Sequence, residues 1–248
     1  MKSASDFPIF SKWLDAPSGA FGSRNGESLV PPPDKEAYWR IYDELKEAAE
    51  NARAAHPDAA KMVLRPKMYS RNRGSRGHRP VDLWVSICST GANIFGYMPQ
   101  VYAIASDRGL EIGFAVSIAE DDYFDPEVKE RNRSIVPFIN SKLPSSDDLL
   151  AGELGRELSR QGSWHFNQKT RLTIEDNGFD AFTSLPNMLD HLKSRGENTG
   201  GGAICRLYSG DDLASIDLTL QFKLALANFG HLLARCAPTS WDMSVRVA

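Results

Sequence analysis

Cysteine is scarce in this sequence, and the spacings that mark protein metal sites are missing from it. The 248 residues include three isolated cysteines, Cys88, Cys205 and Cys236, with no C-x-x-C pair. This pattern excludes a disulfide framework and a cysteine-rich zinc site, and it suits a reducing compartment. The five histidines are scattered, with no H-E-x-x-H spacing. The sequence therefore predicts no metal site.

Signals for nucleotide hydrolysis, for a serine nucleophile and for a membrane span are also absent. The chain has no G-x-x-x-x-G-K-[ST] loop and no G-x-S-x-G elbow, so we expect no cofactor, no catalytic residue and no catalytic activity in this chain alone. No apolar run approaches the ~20 residues that cross a bilayer, and the first residues lack the apolar core of a secretory signal. We expect a cytoplasmic protein without a membrane partner.

Positive charge, in contrast, is concentrated in one segment. The chain has 29 Lys and Arg against 32 Asp and Glu, a net charge of −3, which excludes a uniformly basic nucleic-acid coat. Residues 59–81 nevertheless contain seven basic side chains and no acidic one, a pattern typical of a surface that follows phosphates. The alternative is that these arginines are solvated or paired with surface acids. We assign six residues to the DNA backbone: Arg65, Lys67, Arg71, Arg73, Arg76 and Arg79.

The order of predicted elements indicates an α+β fold with a curved, largely antiparallel sheet between N- and C-terminal helices. Residues 1–34 read as an irregular arm, and a helix follows over 34–56, where apolar residues recur at helical spacing. Three runs, "VDLWVSIC", "PQVYAIAS" and "LEIGFAVSI", predict strands, with a tight turn at "DRG". Further on we expect helices over 126–140, 146–160, 184–195 and 216–236, and strands at "SWHFNQKTRL" and "GAICRLYS".

Four aromatic residues are candidates for a base pocket. Phe95 and Tyr97 lie in "GANIFGYMP", a glycine-flanked segment where large rings are not needed for a sheet. Tyr69 and Trp84 flank the arginine-rich segment, although an aromatic residue in a strand, such as Trp84, is more often part of the core. Bases extruded from a duplex are held by stacking on such rings, so the sequence predicts a base-capturing site.

Two stretches resemble a known family: "GYMPQVYAIASDRGLEIGFAVSI" and "GAICRLYSGDDLASIDLTLQFKLALANFGHLL". Together with the elements between them they are similar to the N-terminal DNA-binding domain of McrB, the recognition subunit of modified-cytosine-directed restriction systems, over roughly residues 38–236. The resemblance implies a module of a restriction or anti-phage defence system that binds double-stranded DNA and flips a modified cytosine into an aromatic pocket. It also implies a separate motor or nuclease subunit as partner, with a domain over 35–237 and a tail over 238–248.

Two other functions remain open at this point. The first is a nucleic-acid hydrolase that holds Mg²⁺ with Asp82, Glu111 and Glu120, although Gly113 stands where such a site usually has a lysine. The second is a non-catalytic protein-interaction subunit whose basic segment meets an acidic partner.

Overall fold

The strands that the structure describes form one sheet, and the described helices pack on one face of it. The computed structural model describes residues 1–14, 16–17, 19–57, 63–69, 82–88, 99–116, 141–167, 181–194 and 202–236, with the backbone alone over 63–69 and at positions 116 and 181. The sheet has seven strands in the order β1-β2-β3-β4-β7-β5-β6, and each of its pairings is antiparallel. The strands are β1 Val63–Tyr69, β2 Asp82–Cys88, β3 Gln100–Ser106, β4 Gly109–Val116, β5 His165–Asn167, β6 Ala181–Phe182 and β7 Gly202–Tyr208.

Helices come from both ends of the described chain. After a 3-10 turn at Ala4–Asp6, they are α1 Pro8–Lys12, α2 Pro32–Ala54, α3 Leu149–Gln161, α4 Leu185–Ser194, α5 Asp211–Ser215 and α6 Leu218–Cys236. Asp148 caps α3 by accepting a hydrogen bond from the backbone N–H of Leu150 at 2.9 Å. Its second carboxylate oxygen accepts from Arg235 near the end of α6 at 3.0 Å, which joins the two helices.

The main core lies between the helices and one face of the sheet. Apolar residues at helical spacing on α2 and α6 meet alternate residues of β2, β3 and β4, such as Val85, Ala103 and Phe114. Phe229 of α6 stacks on Phe114 with 5.5 Å between ring centroids, and the ring of Trp164 meets Phe229 edge-on at 5.2 Å. We call this side of the sheet the helical face.

The N-terminal arm belongs to the same core. Phe7, Phe10 and Phe21 are buried against α2, and Phe21 stacks on Tyr38 at 4.1 Å. The carboxylate of Glu44 accepts hydrogen bonds from the backbone N–H groups of Lys2 and Ser3. The arm is therefore anchored on the helical side of the molecule.

The predicted α+β class is confirmed, with helices from both ends of the chain on an antiparallel sheet. Four strands and the last helix lie where the sequence predicted them, whereas α2 begins at Pro32 because proline is favoured in a first helical turn. The sequence predicted no strand before residue 81, whereas Arg65, Lys67 and Tyr69 lie in edge strand β1, which begins at Val63 and pairs with β2. The helix predicted over 126–140 lies outside the described residues.

Candidate functional site

The second face of the sheet is buried but polar, and it is the candidate site. Successive residues of a strand point to opposite faces, so the strand residues that alternate with the core residues lie on this side. Its buried polar residues are at most 3% exposed and include Asp82 and Ser86 of β2, Gln100 and Ser106 of β3, Glu111 of β4 and Asn167 of β5. Among the described residues, only strands contribute to the small apolar cluster here. We call this side the polar face.

A hydrogen-bonded network crosses the centre of the polar face. Tyr102 of β3 pairs with Gly113 of β4, and Gly113 pairs with Cys205 of β7. The Tyr102 hydroxyl donates to Glu111 Oε1 and lies in hydrogen-bonding contact with the Cys205 thiol. Asn167 Nδ2 donates to Cys205 Sγ at 3.5 Å. The network therefore joins strands β3, β4, β7 and β5 through side chains.

Burial raises the pKa of two members of this network. Desolvation and the nearby Glu111 carboxylate raise the pKa of Tyr102 well above its ordinary value. Desolvation is also the main cause that raises the pKa of the Cys205 thiol, with Glu111 second. Tyr102 and Cys205 thus stay protonated at neutral pH, and Tyr102 acts as a donor to the carboxylate. Burial of such a network costs free energy unless each of its polar groups has a hydrogen-bond partner.

Trp84 is the one predicted pocket aromatic whose side chain the structure describes, and it lies on the polar face. It is 4% exposed and meets the ring of Tyr102 edge-on at 6.2 Å between centroids. Across the strands, Trp84 pairs with Ile104, and Ile104 pairs with Glu111. Trp84, Ile104 and Glu111 therefore form one row across the polar face.

The register of edge strand β1 places three more predicted residues on this face. Tyr69 pairs with Asp82, Lys67 with Trp84 and Arg65 with Ser86. Directly paired residues share a face of a sheet, so these three positions belong with Trp84 and not with the core.

The arginine-rich and aromatic segments leave the sheet at opposite ends of β2. Residues 70–81 connect Tyr69 to Asp82, and residues 89–99 connect Cys88 to Gln100. Six residue steps of a strand separate these ends by about 20 Å. The remaining predicted contacts lie outside the described residues: Arg71, Arg73, Arg76, Arg79, Phe95 and Tyr97.

Asp82 and Glu111, the candidates for a hydrolase, share the polar face without forming a tight pair. They lie two strands and two register rows apart, which puts their Cα atoms about 12 Å from each other. Glu120 lies outside the described residues. In the described part of the chain, no three His, Cys, Asp or Glu side chains lie together in a way that could hold a metal ion.

The helical side offers a different surface. A cavity of about 680 Å³ lies between the first six residues, α2 and the start of α6, and its lining includes Asp43, Glu44, Glu47 and Asp217. The same lining also contains Lys2, Arg40 and the N-terminal amino group, so acidic groups outnumber basic ones only slightly. None of the helices in the described ranges combines the length and the apolar character that crossing a membrane requires.

Sequence reasoning missed most of the network. It considered Glu111 only as a metal ligand and gave Tyr102, Asn167 and Cys205 no functional role. The available signal was a polar residue at alternate positions of otherwise apolar strands, as in Asp82 and Ser86, or Gln100 and Tyr102. No protein-family model matches the chain, and no curated protein is significantly similar to it.

Proposed function

We propose that this chain is a DNA-binding recognition module that extrudes a base from the duplex and binds the DNA along the edge of the sheet that β1 forms. The observation that carries the proposal is the register of β1 and β2, which assigns Trp84 and the positions of Arg65, Lys67 and Tyr69 to one face. That face is rich in hydrogen-bonding groups, whereas the described helices pack on the other. A base needs a shielded polar surface with an aromatic neighbour, and phosphates need adjacent positive charge.

The charge of the chain supports this arrangement. Six of the seven basic residues of 59–81 belong to edge strand β1 or to the segment that connects it to β2. The cavity on the helical side, in contrast, has a lining of mixed charge in which acidic groups slightly outnumber basic ones. A duplex is therefore attracted to the β1 edge, next to the polar face.

The resemblance to the McrB N-terminal domain supports the further proposal that the base is a modified cytosine and that a separate motor or nuclease acts on the bound DNA in a prokaryotic, cytoplasmic restriction system. The alternative is a Mg²⁺-dependent nuclease that would use Asp82 and Glu111 of the polar face, although their Cα atoms are about 12 Å apart. Incubation with DNA and Mg²⁺ or Mn²⁺ separates the two: cleavage that Asp82→Asn abolishes would favour the nuclease.

The backbone contacts are tested by the salt dependence of duplex binding, measured by fluorescence anisotropy. Each phosphate contact contributes about −0.9 to the log–log slope of affinity against salt, so Arg73→Ala with Arg76→Ala flattens the slope by roughly one to two units. The matched control removes the same charge from the helical side: Arg24→Ala with Arg160→Ala, two exposed arginines in surface ion pairs. Equal slopes in the parent protein and in the Arg73/Arg76 variant would contradict the proposal.

Base extrusion is tested separately, with 2-aminopurine next to cytosine, 5-methylcytosine or 5-hydroxymethylcytosine in the duplex. Unstacking by the parent protein raises the fluorescence, and Tyr97→Ala or Phe95→Ala lowers that response, because a stacking ring is worth about 1–3 kcal/mol. The arginine variants weaken all duplexes about equally. If no duplex gives enhanced emission or base discrimination, the protein is a sequence-blind clamp.

A further inference from the structure

We infer that Arg108, in the turn between β3 and β4, is a further contact to the DNA backbone and fixes which end of the β1 edge meets the duplex. The phosphates lie over the end of the sheet at Tyr69 and Asp82, and not over the opposite end at Val63 and Cys88. This inference rests on the proposed function, and it adds to the basic residues taken from the sequence one whose place the structure gives.

The sheet register places Arg108 at the end where the arginine-rich segment enters the sheet. Strand β2 begins at Asp82, beside Ser106 at the end of β3. Ser106 pairs in turn with Gly109, which leaves Asp107 and Arg108 as a two-residue turn. The backbone N–H of Arg108 donates to Ser106 Oγ at 3.3 Å. The turn is therefore short, and the two strands hold it at this end of the sheet.

The distance from the β1 edge to Arg108 fits one duplex. Two strand spacings separate Tyr69 from Ser106, which is about 10 Å between their Cα atoms. Arg108 follows two residues later and is partly exposed, so its Cα atom lies about 12 Å from that of Tyr69. The major groove of B-form DNA is about 12 Å wide. A duplex bound at the end of β1 therefore has phosphates within reach of Arg108.

The two ends of β2 and β3 differ in charge. Residues 70–81, which enter β2 at the end of Arg108, include four arginines and no acidic residue. Residues 89–99, which join β2 to β3 at the opposite end, include no charged residue. Phosphates are therefore attracted to the end of Arg108.

The charge changes sign on the other side of the turn. A Cβ atom at Gly109 would lie 2.2 Å from the carbonyl oxygen of Tyr208, so the turn packs directly on the end of β7. Helix α5 follows β7 and begins with Asp211 and Asp212, which are both exposed. These carboxylates repel phosphate. The duplex therefore extends from Arg108 toward β1 and not toward β7.

The experiment measures the salt dependence of duplex binding by fluorescence anisotropy. Loss of one phosphate contact in Arg108→Ala flattens the log–log slope by about 0.9, whereas Arg108→Lys keeps the charge and the slope. Arg108→Ala weakens duplexes with cytosine, 5-methylcytosine and 5-hydroxymethylcytosine equally, because a phosphate contact carries no base information. The matched control is Arg160→Ala, which removes an exposed arginine at the end of α3 and leaves the slope unchanged.

Asp107→Asn tests the same end of the sheet with the opposite charge. It removes the carboxylate next to Arg108 and keeps the arginine, so the affinity for duplex DNA should rise on the order of twofold. The increase is smaller at high salt, because ions screen the repulsion between carboxylate and phosphate. Circular dichroism and the unfolding midpoint establish that each variant is folded, and Asp107→Asn decides the question if Arg108→Ala is not.

Three results overturn the role of Arg108: an unchanged slope in Arg108→Ala, an equal loss of slope in Arg108→Lys, or an unchanged affinity in Asp107→Asn. Those results leave the proposed function intact if Arg73→Ala with Arg76→Ala still flattens the slope, because the duplex then binds elsewhere along the β1 edge. If the parent protein binds duplex DNA without salt dependence, both the inference and the proposed function are wrong.

Discussion

The absence of a side chain at Gly113 allows β4 to pack closely on β7 beside the network, and replacement of Gly113 by alanine is expected to destabilise the protein strongly. A Cβ atom at Gly113 would lie 1.9 Å from the carbonyl oxygen of Ile204 and 2.8 Å from Cα of Cys205. Both neighbours are backbone, so the strands have to separate by about 1 Å, which strains the hydrogen bonds between them. Overpacking costs about 1–3 kcal/mol and each weakened hydrogen bond about 1 kcal/mol. The expected loss is therefore about 2–4 kcal/mol of unfolding free energy.

Urea denaturation followed by circular dichroism and by tryptophan fluorescence measures this loss, and thermal unfolding should show a decrease in Tm of roughly 4 to 16 °C. Gly155→Ala is the matched control. Gly155 lies in α3 with no atom within 4 Å of an added Cβ, so alanine should stabilise the protein by about 1 kcal/mol through helix propensity. A Gly113→Ala protein within about 0.5 kcal/mol of the parent would refute the close packing of β4 on β7.

Two further predictions concern the core on the helical face. Phe229→Ala should reduce the unfolding free energy by about 3–5 kcal/mol in urea denaturation, because it removes a fully buried ring that packs on Phe114 and Trp164. The control is Leu220→Ala, at a site that is 49% exposed, which should change the unfolding free energy by less than about 1 kcal/mol. Similar losses in both variants would contradict this packing. Burial raises the pKa of the Cys236 thiol from 9.0 to about 12. Because the unfolded chain releases this proton at a lower pH than the folded protein, stability falls as the pH rises from about 9 to about 12. The urea midpoint of Cys236→Ala should therefore fall less between pH 8 and pH 10 than that of the parent protein, and an unchanged fall would exclude this thiol as a cause.

Local patterns in the sequence were sufficient for most of the secondary structure. The apolar stripe of α6, from Leu218 to Leu233, and the β-branched and aromatic runs of β2, β3 and β4 report the two periodicities that distinguish helices from strands. The "DRG" turn follows from Gly109, whose φ of +103° favours glycine. Strand β1 was missed because its charged residues and Pro66 are unusual for a strand and are tolerated at a sheet edge.

The polar face was decided by tertiary structure. Residues 102, 111, 167 and 205 are spread over about a hundred positions of the chain, and nothing in their spacing predicts that a tyrosine, a carboxylate, an amide and a thiol meet. They meet because backbone hydrogen bonds set the register of β3 on β4 and place β7 between β4 and β5. The order of apolar and polar residues along the chain is enough to predict most of the segments that form strands and helices, and the sequence also shows where positive charge accumulates. Strand order and register decide which side chains lie next to each other and which side of the sheet the helices cover. A shift of one residue in register would move every side chain of a strand to the opposite face.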